Sequence, residues 1–294
     1  MTSLLNRIPS IALCAMMLSG ISTAESASGE AQSAPDARGI VQEMSDRLKQ
    51  MKSFRVNMSV VTRMEAEGRK QETATEYIFA VQRPDKVAQI LSKGDMGMTV
   101  ICDGKKVYTY MPMMSSYTVT DAPASLSELA GNLGLTVGDA IPAIRAFVAE
   151  DPGKALLEKV SNVSYLGADD IGGAKCHRLR FEHEQLDWEA WISADEKRLL
   201  MKVAPDFTET IAESRKEPGD RTPPDFKYEM ILTLSDWVTE GELPADLFNF
   251  RPSAKSIQVD SFFPRRTPSK DVAGPTRQNQ DFPATVRTSR VARS

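Results

Sequence analysis

A mainly β domain built on antiparallel sheet is what this chain predicts, and three observations carry that prediction. From Tyr77 to Tyr117 apolar residues alternate with polar ones: Tyr77, Phe79 and Val81, then Met96, Met98, Val100 and Cys102, then Tyr108 and Tyr110. The runs are punctuated by Arg83-Pro84-Asp85, Gly94-Asp95 and Asp103-Gly104, residues whose backbone preferences favour turns. The same period of two recurs on both sides of this stretch. It puts one face of each strand in a core and the other in water, the antiparallel pattern.

The elements follow in order. Asp36 to Lys52 carries Ile40, Val41, Met44, Leu48 and Met51 at helical spacing, with Asp36 placed to cap the start. Beyond Ser53 the period becomes two: Phe54, Val56, Met58, Val60 and Met64 alternate with Arg55, Asn57, Ser59 and Arg63, and Glu67-Gly68 turns the chain into a partner strand. The meander continues to about Val119. Between Asp121 and Glu158 the pattern becomes helical (Leu126, Leu129, Leu133, Val137, Ile141, Ile144, Phe147, Val148), divided into short helices by Pro123, Pro142 and Pro152. Helices inserted into a meander must lie on a sheet face or across a barrel mouth.

Strands resume with Val160 to Ile171, the Gly172-Gly173 turn and Cys176 to His183. A hairpin follows from Asp187 to Ser193 and Arg198 to Val203 around Asp195-Glu196. After a polar loop, Glu213 to Pro224, a last long strand has Phe226, Tyr228, Met230, Leu232 and Leu234 on one face and leads to Trp237. Roughly ten strands, one preceding helix and a helical insert make a single domain over residues 36–263.

The chain opens with Arg7, an apolar run from Ile8 to Ile21 and then Ser22-Thr23-Ala24, the pattern of a secretory signal peptide over residues 1–24. The run falls short of the roughly 20 apolar residues that a membrane span needs. Cys14 follows Leu13 inside that run, which is not a lipobox arrangement, so the reading is a periplasmic or otherwise exported protein, soluble after cleavage. Residues 25–35 form a polar leader.

The net charge of −4 is unevenly spread. From Arg265 to Ser294 seven basic residues face two acidic ones, so residues 264–294 read as a basic, disordered tail on an acidic body. Almost no apolar residues follow Phe263, and such a segment cannot bury enough surface to fold. An acidic body argues against nucleic acid as the partner. Two cysteines survive processing, Cys102 and Cys176, and an even pair in an oxidising compartment is a disulfide candidate. Against it, Cys102 shares its face with Met98 and Val100, whereas Cys176 points away from the face carrying Leu179 and Phe181. Nothing matches a metal set or a cofactor motif.

No arrangement of side chains stands out as catalytic. His177 and His183 lie six apart on one strand and share a face with Leu179 and Phe181, as ordinary sheet histidines do. Asp169-Asp170 precedes the Gly172-Gly173 turn, and adjacent strand residues point to opposite faces, so the two carboxylates cannot act as a close pair. Trp188 and Trp191 differ by three and fall on opposite faces, one in the core and the other exposed or at an interface. Seven of the fourteen methionines lie between Met58 and Met114. Their unbranched thioethers suit either an irregular core or a mobile apolar ligand.

The order of Lys52-Ser53-Phe54, Arg83-Pro84-Asp85, Asp103-Gly104-Lys105, Tyr110-Met111-Pro112 and Phe248-Asn249-Phe250-Arg251-Pro252 resembles the periplasmic lipoprotein carriers of the LolA and LolB type. Cys176-His177-Arg178-Leu179, Asp187 to Ile192 and Leu234-Ser235-Asp236-Trp237 are similar to a family of predicted periplasmic proteins of unknown function thought to share that fold. The resemblance implies an unclosed antiparallel β-barrel with an N-terminal helix and a helical lid, sheltering acyl chains from water. It further implies that Arg83 hydrogen-bonds to the lid and controls its opening. The apolar strand faces and the lid would supply the lining: Met58, Val60, Phe79, Met98, Val100, Tyr110, Phe147, Tyr228 and Met230.

Two functions are therefore expected. The first is a non-enzymatic binding protein for a lipid or a lipoprotein acyl chain. The second is an envelope interaction or stress-regulatory protein that uses the same fold to hold a protein partner. The tail is either a solvated end or a contact for an anionic membrane surface, each cation adding about 1 kcal/mol there. Truncation at Pro264 separates these: loss of binding to anionic vesicles identifies a membrane contact, and unchanged binding identifies a solvated end.

Overall fold

The structure, a computed structural model, describes residues 35–94, 97–133 and 142–262. The signal peptide, nearly all of the polar leader, Met96, Val137, Ile141 and the basic tail lie outside those residues.

Helix α1 (Ala37–Gln50) starts where Asp36 accepts a hydrogen bond from the Arg38 amide at 3.1 Å, and it buries Ile40, Val41, Met44 and Leu48. Among the described residues twelve strands follow: β1 (Ser53–Ala66), β2 (Arg69–Gln82), β3 (Lys86–Lys93), β4 (Thr99–Asp103), β5 (Lys106–Met111), β6 (Ser116–Asp121), β7 (Val160–Ile171), β8 (Ala174–His183), β9 (Trp188–Ser193), β10 (Leu200–Pro205), β11 (Lys227–Val238) and β12 (Ile257–Gln258). They form one sheet in the order β12-β6-β5-β4-β3-β2-β1-β11-β10-β9-β8-β7. Two meanders meet where β11 returns to pair with β1. Among the described residues the sheet does not close, and β7 and β12 are its edges.

The tight turns have the chemistry that antiparallel hairpins require. Glu67 and Gly68 have φ of 54° and 71°, and Gly172 and Gly173 have 58° and 84°. Successive positive values define the hairpin turn whose twist matches the strands. The turn at Arg83-Pro84-Asp85 contains a cis Arg83–Pro84 peptide.

One face of the sheet, the inner face, contributes Phe54, Val56, Met58, Val60, Phe79, Val81, Val100, Leu179, Phe181, Trp188, Leu232 and Leu234 to a continuous core. Short helices complete that core: α2 (Leu126–Leu133), α3 (Pro142–Val148) and α4 (Pro152–Leu157), all in the β6–β7 connection. The prolines do more than break the pattern. Pro142 and Pro152 are the first residues of α3 and α4, where a missing N–H is harmless and a fixed φ suits the helix. Helix α4 packs against α1 so closely that a Cβ at Gly153 would stand 2.8 Å from the Ser45 hydroxyl.

The outer face carries a second, smaller core, which strand alternation alone does not reveal. Ala80, Ala88 and Ile101 are covered by Phe248, with Leu243, Leu247 and Phe250 beside it. This C-terminal strap runs back over the sheet and ends in β12, parallel to β6. A further short helix, α5 (Thr208–Ser214), occupies a stretch whose sequence shows too little periodicity to reveal it.

Phe54 is the centre of an aromatic group. Its ring lies 5.5 Å from Trp237, 5.7 Å from Phe147 and 6.5 Å from Phe79. Trp237 reaches the inner face through a bulge: Arg55 pairs with Val238 but Asn57 with Ser235, and Asp236 between them has φ of 53°. A bulge adds one residue and so returns the next side chain to the opposite face. Asn57 steadies it by donating to the Asp236 carboxylate at 2.9 Å. Phe54→Ala should lower unfolding free energy by about 3–5 kcal/mol in urea titration, the usual range for removing a buried aromatic; a loss near zero would show that these rings are not packed as described.

Candidate functional site

The inner face forms a floor and α2–α4 form a cover, with Arg83 at their junction. It follows β2, and its backbone N–H donates to Lys52 O at 2.8 Å, which fixes it beside the end of α1. Its guanidinium then donates three times to main-chain carbonyls: Nε to Met51 O at 3.3 Å, Nη2 to Phe147 O at 3.1 Å and Nη1 to Ala149 O at 3.4 Å. Met51 caps the C-terminal end of α1, and Phe147 and Ala149 stand at that of α3. Helix C-termini present unsatisfied carbonyls and partial negative charge, so a cation there is favoured. Burial alone lowers the Arg83 pKa; a guanidinium nevertheless stays charged.

Most residues expected to line a cavity meet on this floor. Met58, Val60, Phe79, Met98, Val100, Phe147 and Met230 are buried in the single inner core. Tyr228 packs against it, its ring edge-on to Phe207 at 4.8 Å, and burial raises its pKa.

Tyr110 is a correction. Cys102 pairs with Val107 and Ile101 with Tyr108 across the two-residue turn Gly104-Lys105. Directly paired residues share a face, so the even-numbered residues of β4 share the inner face with the odd-numbered residues of β5. Tyr110 lies on the outer face, 6.2 Å from the ring of Phe250. Turn length, visible in the sequence, carried this information.

The floor and cover are packed together. Among the described residues a cavity of about 20 Å³ lies at the edge of the cover, lined by Asp85, Cys102, Gly104, Leu126 and Leu129. A shallow charged cleft of about 260 Å³, involving Glu43, Asp46, Arg47 and Arg198, lies outside on α1. The side chains of the cover and of the floor belong to one continuous core. The methionines divide accordingly: Met58 and Met98 are core residues, whereas Met113 and Met114 are exposed.

Cys102 and Cys176 do not pair; both are buried free thiols. Six strands separate β4 from β8 in the sheet order, and the two face opposite sides. Each thiol donates instead to a nearby carbonyl, Cys102 to Asp85 O and Cys176 to Ala174 O. Burial raises the pKa of both.

Trp188 is the core tryptophan, stacked on Phe181 at 3.7 Å. Trp191 lies on the outer face but is also buried, which corrects the expectation of exposure. Lys202 and Arg178 stand over its ring at 4.0 and 5.3 Å, and its N–H donates to Asp169 at 2.9 Å. Long cationic side chains cover the aromatic surface and keep their heads in water.

His183 organises a turn, its Nδ1 accepting from the Gln185 amide at 3.1 Å. His177 lies within 3.3 Å of Arg198, which in turn pairs with Glu43 of α1 at 2.6 Å. Among the described residues no group of three or more His, Cys, Asp or Glu could hold a metal.

The fold is thus an unclosed antiparallel half-barrel with an N-terminal helix and a helical cover over one apolar face. The chain belongs to the family described as predicted periplasmic protein (DUF2092), whose model matches residues 37–261. The expected export agrees with that compartment, and among the described residues no helix is long and apolar enough to cross a membrane. An uncharacterised protein of Methanocaldococcus jannaschii, MJ0687, is 26% identical over 144 residues, covering 49% of this chain and 36% of its own length. The chain thus spans about a third of that curated relative. Among solved structures, the LolA superfamily protein NE2245 from Nitrosomonas europaea is similar with a TM-score of 0.31 and 16% identity, over 73% of this chain and 97% of that one. MucB in complex with MucA(peri) gives 0.35 and 12%, over 75% and 61%.

Burial lowers the pKa of both histidines from 6.5, helped by Arg198 at His177 and Lys159 at His183. Each binds its proton less tightly in the folded state, so the unfolded chain takes up more protons as pH falls through about 6.5, and stability falls with it. Urea titrations should show that decline between pH 7 and 5.5, with a shallower slope in His177→Gln. An unchanged slope would mean that His177 does not contribute.

Proposed function

We propose that this is a periplasmic binding protein that shelters a lipid or lipoprotein acyl chain between the inner face and helices α2–α4, without covalent chemistry. The observation that carries the reading is the latch. A mostly apolar floor is closed by short helices, and a half-buried cation, Arg83, holds one of them to main-chain carbonyls, with no carboxylate in ion-pair contact among the described residues. Such bonds can break and re-form without disturbing any strand pairing. Met58, Val60, Phe79, Met98, Val100, Met230 and Tyr228 form the contact surface, and Phe147 carries the cover.

Burial of an acyl chain is worth about 0.8 kcal/mol per methylene. The cover must yield some of its own buried contacts to admit one, so affinity is the difference between the two. Arg83 is the residue that sets how readily the exchange occurs.

A second reading, a protein-binding module, has its own observation. Met113 and Ile257 are each 66% exposed and Met114 is 44% exposed, at the corner where the Ile257 amide donates to Ser115 O and β12 is the last strand of the sheet among the described residues. Exposed apolar residues beside an edge strand are a docking surface for another chain. The basic tail supplies a third contact, to an anionic membrane surface.

Native mass spectrometry of the protein from its own host separates the first two. Co-purifying lipid or acylated peptide supports the carrier, and an empty protein with a stable polypeptide partner supports the module. On the carrier reading, Arg83→Leu releases a bound fluorescent fatty acid several-fold faster while unfolding cooperatively at a stability lower by about 1–3 kcal/mol. Unchanged release would remove Arg83 as the latch.

A further inference from the structure

The inner face carries a buried amide that apolar packing does not explain. Gln89 on β3 is 1% exposed. It pairs with Phe79 on β2 and with Val100 on β4, both inner-core residues, and Val87 and Leu91 flank it on its own strand. The register therefore places an amide in the middle of the floor. Its Nε2 has no hydrogen-bond partner.

Three other buried side-chain nitrogens among the described residues lack partners: Arg55 Nε, His177 Nδ1 and Trp188 Nε1. Each has a reason to be where it is. Arg55 and His177 have further nitrogens, and His177 uses its own beside Arg198. Trp188 is held by its ring, stacked flat on Phe181, and a tryptophan repays burial through apolar area alone. Glutamine has little apolar area to offer, and leaving its N–H unpaired carries the desolvation penalty in full.

Helix α2 lies against β3 and contributes Leu126, Leu129 and Ala130 to the same core. With α2 in place these side chains offer Gln89 only carbon. With α2 raised, a guest on the floor would meet a hydrogen-bond donor surrounded by Phe79, Val87, Leu91 and Val100.

We infer that Gln89 is the polar anchor of the binding site and donates to an acceptor on the guest, the carbonyl of an acyl ester or acyl amide whose hydrocarbon chain lies along the floor. This deepens the carrier reading and depends on it. An acyl carbonyl fits on chemical grounds: it accepts without donating, it is uncharged, and it brings its apolar chain with it. A free sugar or phosphate would have to give up many water contacts for one donor. The anchor fixes the depth of the chain and discriminates acyl groups from plain hydrocarbon. In the closed state the orphaned amide opposes tight closure of α2, so guest binding relieves a penalty as well as adding a bond.

The test uses methyl dodecanoate carrying ¹³C at the carbonyl, with displacement of a fluorescent fatty acid to measure affinity and infrared spectroscopy to read the label. In the wild type the bound carbonyl band should lie at lower frequency than that of the ester in alkane, as a hydrogen-bonded carbonyl does. In Gln89→Leu and Gln89→Met the band should return to the alkane position and affinity should fall by about 10-fold, the scale of one net hydrogen bond. Without ligand, Gln89→Met should melt a few degrees higher, because it removes the orphaned group and keeps an unbranched side chain of similar length.

A wild-type protein that takes up the ester with its carbonyl at the alkane frequency overturns this inference and leaves the carrier reading standing. Saturable uptake by neither wild type nor variants overturns both. A lower melting temperature in Gln89→Met overturns the premise that the amide is unpartnered.

Discussion

Twelve strands that, among the described residues, do not close leave the inner side chains without an opposite wall, and the helices packed on them answer that constraint. A closed barrel of this size would fill its interior from all sides; here the strands run out at β7 and β12, and the remaining wall must be helical. Helix α1 supplies part of it before the first strand is made. The β6–β7 connection supplies the rest through α2, α3 and α4, whose prolines start the helices and whose leucines, isoleucine and phenylalanine point into one shared core.

Magnitudes separate what holds the cover from what positions it. Each fully buried Leu, Ile or Phe contributes about 1.5–3 kcal/mol, and the cover presents Leu126, Leu129, Ile144, Phe147 and Leu156. Each hydrogen bond from a charged donor adds about 1.5–3 kcal/mol at most. Apolar burial therefore stabilises the closed cover more than the latch does, and Arg83 sets geometry by tying the ends of α1 and α3 to the start of β3. That division suits a binding site. On the proposed carrier reading, a guest with a long alkyl chain would replace the cover's apolar contacts with equivalent ones and leave the sheet unaffected, while the latch would be broken and remade.

Much of this was legible in the sequence because it follows from period and turn chemistry. The alternation from Phe54 to Val60, the Glu67-Gly68 and Gly172-Gly173 turns and the helical spacing of Ile40 to Leu48 each specify structure locally, and the structure repeats them. Arg83 was legible only through resemblance, since no local pattern shows that a side chain will reach two helix ends. Other features needed the partner strand. Tyr110 faces outward because a two-residue turn exchanges odd and even positions. Trp237 faces inward because Asp236 inserts a bulge, and Trp191 is buried because cations from two neighbouring strands lie over it. Gln89 was invisible for a different reason: its polarity argues for the outside of a strand, and only the register against Phe79 and Val100 places it within. The strap from Leu243 to Phe250 is too short and irregular to carry a period, and its core forms only against the finished sheet.

The proposed carrier function needs a helical cover that can part from a sheet that remains folded, with Arg83 as the tie. Hydrogen exchange measured by mass spectrometry on wild type and Arg83→Leu tests that separation most directly. The expected result is faster exchange in α3 and α4 of the variant, with the amides of β1, β2 and β11 as protected as before. Equal acceleration in the cover and the sheet would contradict it, because the two would then open only as one unit.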